Sequence, residues 1–184
     1  PRLLFTAARS RVDGPRGQAA NPDTAVADMP ITIVRRADSS GTTFAFTRHL
    51  EAVSPDWAAA HGSGKTVVWP DSDKIVAAPK NDGVTATIKQ TPGSLGYVEY
   101  GYARFARLPM AELENASGRF TAPNLASGIA ALDGTPLPAD MRVWITDPQG
   151  EEAYPIITYT WLLLYRKYAD KEVASALKAV VEYC

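Results

Sequence analysis

Several kinds of chemistry are short of the residues they need in this chain. Its 184 residues include one cysteine and two histidines. A single cysteine excludes an intrachain disulfide. His49 and His61 have no nearby cysteine or paired carboxylates to complete a metal set, so surface roles are expected and no metal is. An excess of charge of one sign is also missing: 19 basic against 20 acidic side chains leave a net charge of -1. That balance argues against a nucleic-acid partner, which would require clustered positive charge to neutralise phosphates. Long apolar runs are missing too. The longest candidate, Trp161-Leu162-Leu163-Leu164-Tyr165, is too short to span a bilayer and reads as a buried strand, so no transmembrane segment is expected.

What remains is enough for one domain with a real core. Strand-like and helix-like patterns alternate along the chain, which favours an α/β arrangement. Strands are expected at 31–35, 65–69, 143–145 and 156–165. Helices are expected at 41–51, in a short turn from Pro55 to Ala60 with proline at the first position, and at 83–91 with Asp82 as cap. Further helices are expected at 96–107, near Asn124 to Ala131 and, amphipathic, at 170–183. Thr91-Pro92-Gly93 should end the third of these. No internal repeat is evident.

The most informative stretch is Arg35-Arg36-Ala37-Asp38-Ser39-Ser40-Gly41-Thr42-Thr43. Ile31-Thr32-Ile33-Val34 alternates before it as a strand does, and Phe44, Thr47 and Leu50 recur after it at helical spacing. The motif therefore falls at a strand-to-helix turn, where the first N–H groups of a helix lack intrahelical acceptors and the macrodipole is positive. Arg36 can offer two parallel N–H donors to one oxyanion, and Asp38 can hold that guanidinium from behind. Gly41 permits close approach of the backbone, while Ser40 and Thr42 add hydroxyl donors. The plainer alternative is that Ser39 or Ser40 is only an N-cap and Asp38 only complements the helix dipole. Taken together, the residues favour a cradle for a tetrahedral anion.

The segment RRADSSGTTFAFTRHL closely resembles the anion-binding segment of the phosphate-binding proteins that serve the bacterial high-affinity phosphate ABC transporter, the PstS family. Further resemblances follow in order: Ser54-Pro55-Asp56-Trp57, Val68-Trp69-Pro70, Asn81-Asp82-Gly83-Val84, Gly93 to Tyr100, and Ala153-Tyr154-Pro155-Ile156. The resemblance implies a periplasmic-binding-protein-like (type 2) lobe, a mixed sheet flanked by helices, incomplete at both ends. It implies phosphate binding through Arg36, Ser40, Gly41 and Thr42, with Asp38 and Ser39 in support, and no cofactor. It also implies a membrane permease as partner and a periplasmic or cell-surface location. Where the family usually has glycine this chain has Ser39; if that position needs a positive φ, serine would cost on the order of 1 kcal/mol.

Nothing before Arg36 resembles the family's first-lobe segment, and PRLLFTAARSRVDGPRG matches least well. Residues 1–20 are therefore set apart, 21–155 are read as the second lobe, and 156–184 as a crossover strand and helix returning toward the first lobe. The resemblance also implies that the discriminating aspartate belongs to that other lobe, so the chain alone should bind phosphate at millimolar strength or weaker and discriminate poorly.

Other features invite sharper readings that mostly fail. Gly62-Ser63-Gly64-Lys65-Thr66 is similar to a phosphate-binding loop of the Walker type, but Ala59 stands where that motif needs glycine. Glu151-Glu152 reads as a solvated acidic pair, and Glu99 as a charge at a helix start. Two other classes of function compete. One is an enzyme acting on phosphate esters at the same helix N-terminus, with Ser40 as a nucleophile lacking an evident base; the other is a self-associating interaction module.

Overall fold

The computed structural model describes residue 21 and residues 29–133 and 135–183. Residues 1–20, set apart on sequence grounds, lie outside that description. Three parallel strands form the centre: β1 (Thr32–Arg36), β2 (Ile75–Ala78) and β3 (Ser94–Gly96), in the order β2-β1-β3. The first strand is thus the middle one. Ile33 pairs with Ile75 on one side and with Leu95 on the other. Since each parallel connection must cross over through intervening chain, helices are carried onto the sheet faces.

Those faces explain the composition of β1. Ile31 and Ile33 turn toward α1 (Gly41–Val53) and α2 (Pro55–Ala60), forming a core with Phe46, Leu50, Trp57 and Tyr97. Val34 turns the other way, toward Ala78 and Val84 of α3 (Lys80–Gln90). Burial on both faces makes Ile33 and Val34 consecutive core residues, as expected of a central parallel strand. At Gly96 an added Cβ would come within 2.8 Å of the Val34 carbonyl, so the close approach of β3 to β1 requires glycine there. Gly93, at φ +75, makes the turn between α3 and β3.

The remaining elements are smaller. The helix α4 (Tyr100–Phe105) follows β3, and a two-stranded antiparallel ribbon joins β4 (Leu113–Glu114) to β5 (Phe120–Thr121). Next comes α5 (Leu125–Leu132), opened by a capping box in which Asn124 and Ser127 bond each other's backbone N–H. Last is α6 (Lys171–Tyr183), which buries none of its residues. The α/β class is as expected, with the three central strands all parallel. Among the described residues no helix is long and apolar enough to cross a membrane.

Several expected elements differ. Lys65–Trp69 is not a strand: both edges of β1 are taken by β2 and β3, and the segment instead packs Val67 and Trp69 against the core. The strand that the sequence reading missed is Ile75–Ala78. The helix expected at 83–91 begins earlier, at Lys80, with Pro79 rather than Asp82 in the cap position. The one expected across 96–107 is divided, because Gly96 belongs to β3 and only Tyr100–Phe105 coils. Neither 143–145 nor 156–165 forms a strand among the described residues. Leu162, Leu163 and Tyr165 are exposed rather than buried, since an apolar run without a ladder partner gains no strand hydrogen bonds.

Trp57 is 1% exposed, stands edge-on to Trp69 at 5.6 Å and donates its indole N–H to the Gly62 carbonyl at 2.7 Å. Trp57→Ala is expected to cost about 3–5 kcal/mol. Urea unfolding followed by fluorescence of the other tryptophans checks this; a loss under about 1 kcal/mol would show that α2 does not anchor the core.

Candidate functional site

The candidate site gathers where the three parallel strands end. Arg36 closes β1, Lys80 and Asn81 follow β2, and Tyr97 and Glu99 follow β3. Because β1 is both first and central, the chain runs from it to β2 on one side and then crosses over it to β3 on the other. In open α/β sheets such a switch point forms the crevice where ligands bind.

Arg36 is 9% exposed, so its charge must be met inside the protein. Asp38 meets it with two parallel bonds, accepting from Nε at 2.9 Å and from Nη2 at 2.6 Å. Asn81 accepts from Nη1 at 3.0 Å. A guanidinium has five N–H donors, and these contacts use three. Among the described residues the remaining two, one on each terminal nitrogen, have no acceptor. The bonds to Asp38 hold Arg36 protonated beyond its ordinary range, and the same bonds, with the Lys80 N–H, hold Asp38 well below the usual carboxylate range.

Asp38 reaches further than the sequence suggests. Its Oδ1 also accepts the backbone N–H of Lys80 at 2.8 Å, so it serves as the acceptor at the start of α3 that Asp82 was expected to provide. Lys80 itself sits at φ +53, a left-handed conformation that costs a non-glycine residue of order 1–3 kcal/mol. The strain lies directly beside the Arg36 clamp.

Ser40 is the N-cap of α1. Its Oγ accepts from the N–H of Thr42 at 3.1 Å and of Thr43 at 3.3 Å, and its carbonyl accepts from Phe44. The capping alternative therefore holds for the Ser40 oxygen, which leaves its own O–H proton for another acceptor. The first N–H of the helix, that of Gly41, has no acceptor among the described residues. A Cβ at Gly41 would meet nothing within 4 Å. Packing within the chain does not require glycine there; room outside the helix start remains as an explanation. Ser39 is exposed and is not among the residues at positive φ, so the anticipated strain is absent.

Three contributors were not assigned to the site from sequence. Asn81 holds the second side of Arg36. Tyr97 accepts the Arg36 backbone N–H at 3.2 Å and shares a hydrogen bond with Thr43 Oγ1 at 2.9 Å, tying β1, α1 and the end of β3 together. Burial pushes the Tyr97 phenol up, so it stays neutral and bridging. Glu99 accepts from Thr42 Oγ1 at 3.5 Å. Their only sequence signals were Asn-Asp-Gly-Val and Gly-Tyr-Val-Glu-Tyr, which do not state a role. Among the described residues no group of three or more His, Cys, Asp or Glu is placed to hold a metal. The arrangement can hold a tetrahedral oxyanion between a fixed guanidinium edge and the open end of a 13-residue helix.

A parallel sheet with hydrogen-bond donors at its carboxyl edge is the arrangement in which open α/β folds bind ligands. Residues 18–184 match the family described as the PBP superfamily domain, and the chain belongs to that family. It is similar to the phosphate-binding protein PstS of Methanocaldococcus jannaschii, 37% identical over 90% of this chain and 47% of that protein. It is also similar to PstS of Xylella fastidiosa, 35% identical over 90% of this chain and 44% of that protein. The chain thus spans about half the length of the curated relatives it matches. Among solved structures, a high affinity periplasmic phosphate-binding protein bound with phosphate superposes at a TM-score of 0.73. That match has 23% identity and covers 96% of this chain and 53% of the other, a likeness of fold.

Because Asp38 is held at low pKa in the folded chain, its contribution to stability is fully present above its unfolded value, near 3.9, and is lost as pH falls through the folded value. The stability gap between the wild type and Asp38→Asn should therefore be constant near neutrality and shrink below about pH 4. Thermal melts of both proteins from pH 7 to pH 2 check this, and a gap that stays constant to pH 2 would contradict the clamp. Tyr97→Phe should cost about 1–3 kcal/mol in urea unfolding by leaving the buried Arg36 N–H without its acceptor.

Proposed function

We propose that this chain is the part of a phosphate-binding protein that grips inorganic phosphate from one lobe. In this reading Arg36, Ser40, Gly41 and Thr42 hold phosphate oxygens, with Asp38 and Ser39 in support. The observation that carries it is the Arg36 guanidinium: pinned on one edge by Asp38 and braced by Asn81, it keeps two N–H donors without an acceptor among the described residues, while Tyr97 ties the Arg36 backbone to Thr43 in the first turn of α1. Pinning removes the freedom that a flexible side chain would lose on binding, so less of the interaction is spent on ordering.

Residues 21–155 are read as the second lobe and 156–184 as the return toward a first lobe. The whole protein would capture phosphate outside the cytoplasm, in the periplasm or at the cell surface, and hand it to the membrane permease of a phosphate ABC transporter. The names of the curated relatives and the phosphate-bound solved structure support the ligand. No bond of the ligand is made or broken in this role. Supporting that, the described partners of Ser40 Oγ are the N–H groups of Thr42 and Thr43, not a base that would activate it as a nucleophile.

Isothermal titration at low salt is the test. Phosphate should bind the chain at about millimolar strength or weaker, because two or three charge-assisted hydrogen bonds from another lobe would add roughly 3–9 kcal/mol. Arg36→Ala should abolish the heat. Phosphate binding that survives Arg36→Ala would reject the site, and turnover of an aryl phosphate lost in the same variant would favour an enzyme instead.

A further inference from the structure

We infer that Thr47 is a positioning residue for the proposed anion site: acting through the loop Gly62-Ser63-Gly64-Lys65-Thr66, its buried hydroxyl fixes Ser40 and with it the direction of the Gly41 N–H. The inference rests on the anion-binding role proposed for Arg36, Ser40 and Gly41. That loop has the composition of a nucleotide-phosphate loop without its glycine spacing, and the site as described so far makes no use of it.

The loop is tied along one stripe of α1. Ser63 Oγ donates to Glu51 Oε2 at 2.5 Å, the Gly64 N–H donates to Thr47 Oγ1 at 3.1 Å, and the Ser40 N–H donates to the Lys65 carbonyl at 3.0 Å. Residues 40, 47 and 51 are spaced by seven and by four, which places them on the same side of the helix. The loop therefore runs against the helix direction, from the last turn to the cap. Glu51 is exposed, whereas Thr47 is 0% exposed and is the buried tie. Its Oγ1 also donates to the Thr43 carbonyl at 2.8 Å, the back-bond to the preceding turn that a threonine inside a helix makes on its own account. Accepting an N–H from 17 residues away is the additional task. At Gly64 an added Cβ would come within 2.7 Å of the Thr66 carbonyl, so the turn that delivers Lys65 to the helix start depends on glycine.

The consequence falls on the anion site. Ser40 gives its N–H to Lys65 and takes the N–H groups of Thr42 and Thr43 on its Oγ, so the residue is held from both sides in its extended conformation, φ -148 and ψ 134. The peptide that follows carries the Gly41 N–H, whose direction is set by the ψ of Ser40. Groups that are to meet a ligand together must be held to within about 0.5 Å by bonds from a supporting layer. Without the Lys65 carbonyl the Ser40 N–H would be left to seek another acceptor, and the Gly41 N–H would turn with it.

The test is NMR titration of the isotopically labelled chain with inorganic phosphate at pH 7 and low salt, together with hydrogen exchange of the Ser40 and Gly41 amides. In the wild type the Ser40 amide should exchange more slowly than that of Gly41, and equal exchange would overturn the inference before any substitution is made. Thr47→Val removes the hydroxyl at nearly constant shape, while Gly64→Ala keeps the hydroxyl and displaces the loop. Each should speed Ser40 exchange and weaken phosphate by about tenfold, the scale of one hydrogen bond to a charged group. Thr47→Ser retains the hydroxyl and should stay within about twofold of the wild type. A substitution that only loosened the core would lower stability and leave the affinity of the folded molecules unchanged. With wild-type binding that Arg36→Ala removes, affinity within about twofold of the wild type in either Thr47→Val or Gly64→Ala would overturn this inference alone. A loss in Thr47→Ser as large as in Thr47→Val would do the same. Phosphate binding that survives Arg36→Ala, or none in the wild type, would overturn the site and this inference together.

Discussion

A guanidinium withdrawn from water must keep its charge satisfied, and around Arg36 that requirement organises the carboxyl edge of the sheet. Burying a charge is costly unless partners replace the lost hydration, and removing one partner of such a pair leaves the other exposed to the full penalty. Asp38 supplies two acceptors and Asn81 a third. The same Asp38 oxygen that takes the Arg36 Nε proton also takes the Lys80 N–H, so the clamp and the start of α3 form one unit. That coupling gives a reason for Lys80 to tolerate a left-handed backbone: relaxing it would withdraw an N–H from the carboxylate that holds the arginine.

The topology makes this unit possible. With β1 between β2 and β3, residues from three distant stretches arrive at one edge, and the helix that follows β1 presents its N-terminus there. Tyr97 completes the junction by bonding to the backbone of β1 and to a hydroxyl in the first turn of α1. A site held from several sides in this manner is organised before any ligand arrives. The cost of ordering has already been met in folding the sheet.

The local part of the site was legible in the sequence. Arg36 and Asp38 are two residues apart, and an arginine followed closely by an aspartate at the end of a strand can pair without help from the rest of the chain. Ser40 before Gly41 was equally readable as a helix start, although the reading left open whether its oxygen would cap the helix or serve a ligand. It caps. The partners that are distant in sequence were not legible, because nothing local in Asn81, Tyr97 or Glu99 reveals which strand end they will meet. Asp82 illustrates the same limit: it has the chemistry of a cap for α3, but the first N–H of that helix goes to Asp38, 42 residues earlier. Lys65–Trp69 has the composition of a strand and lays Val67 and Trp69 against the core, yet both edges of β1 were already occupied.

By itself, then, the sequence determined the alternation of strands and helices, the strand-turn-helix at 32–53, and the identity of the arginine, aspartate and glycine on which the proposed anion site rests. These follow from periodicity and from neighbours a few residues apart, where side-chain chemistry and backbone propensity act directly. Only the tertiary structure decided the strand order, the choice of Ile75–Ala78 over Lys65–Trp69 as the partner of β1, and the assembly of Asn81, Tyr97 and Glu99 around Arg36. Those outcomes depend on which edges of a sheet remain free and which buried polar groups still need partners, and both are properties of the packed molecule rather than of any segment.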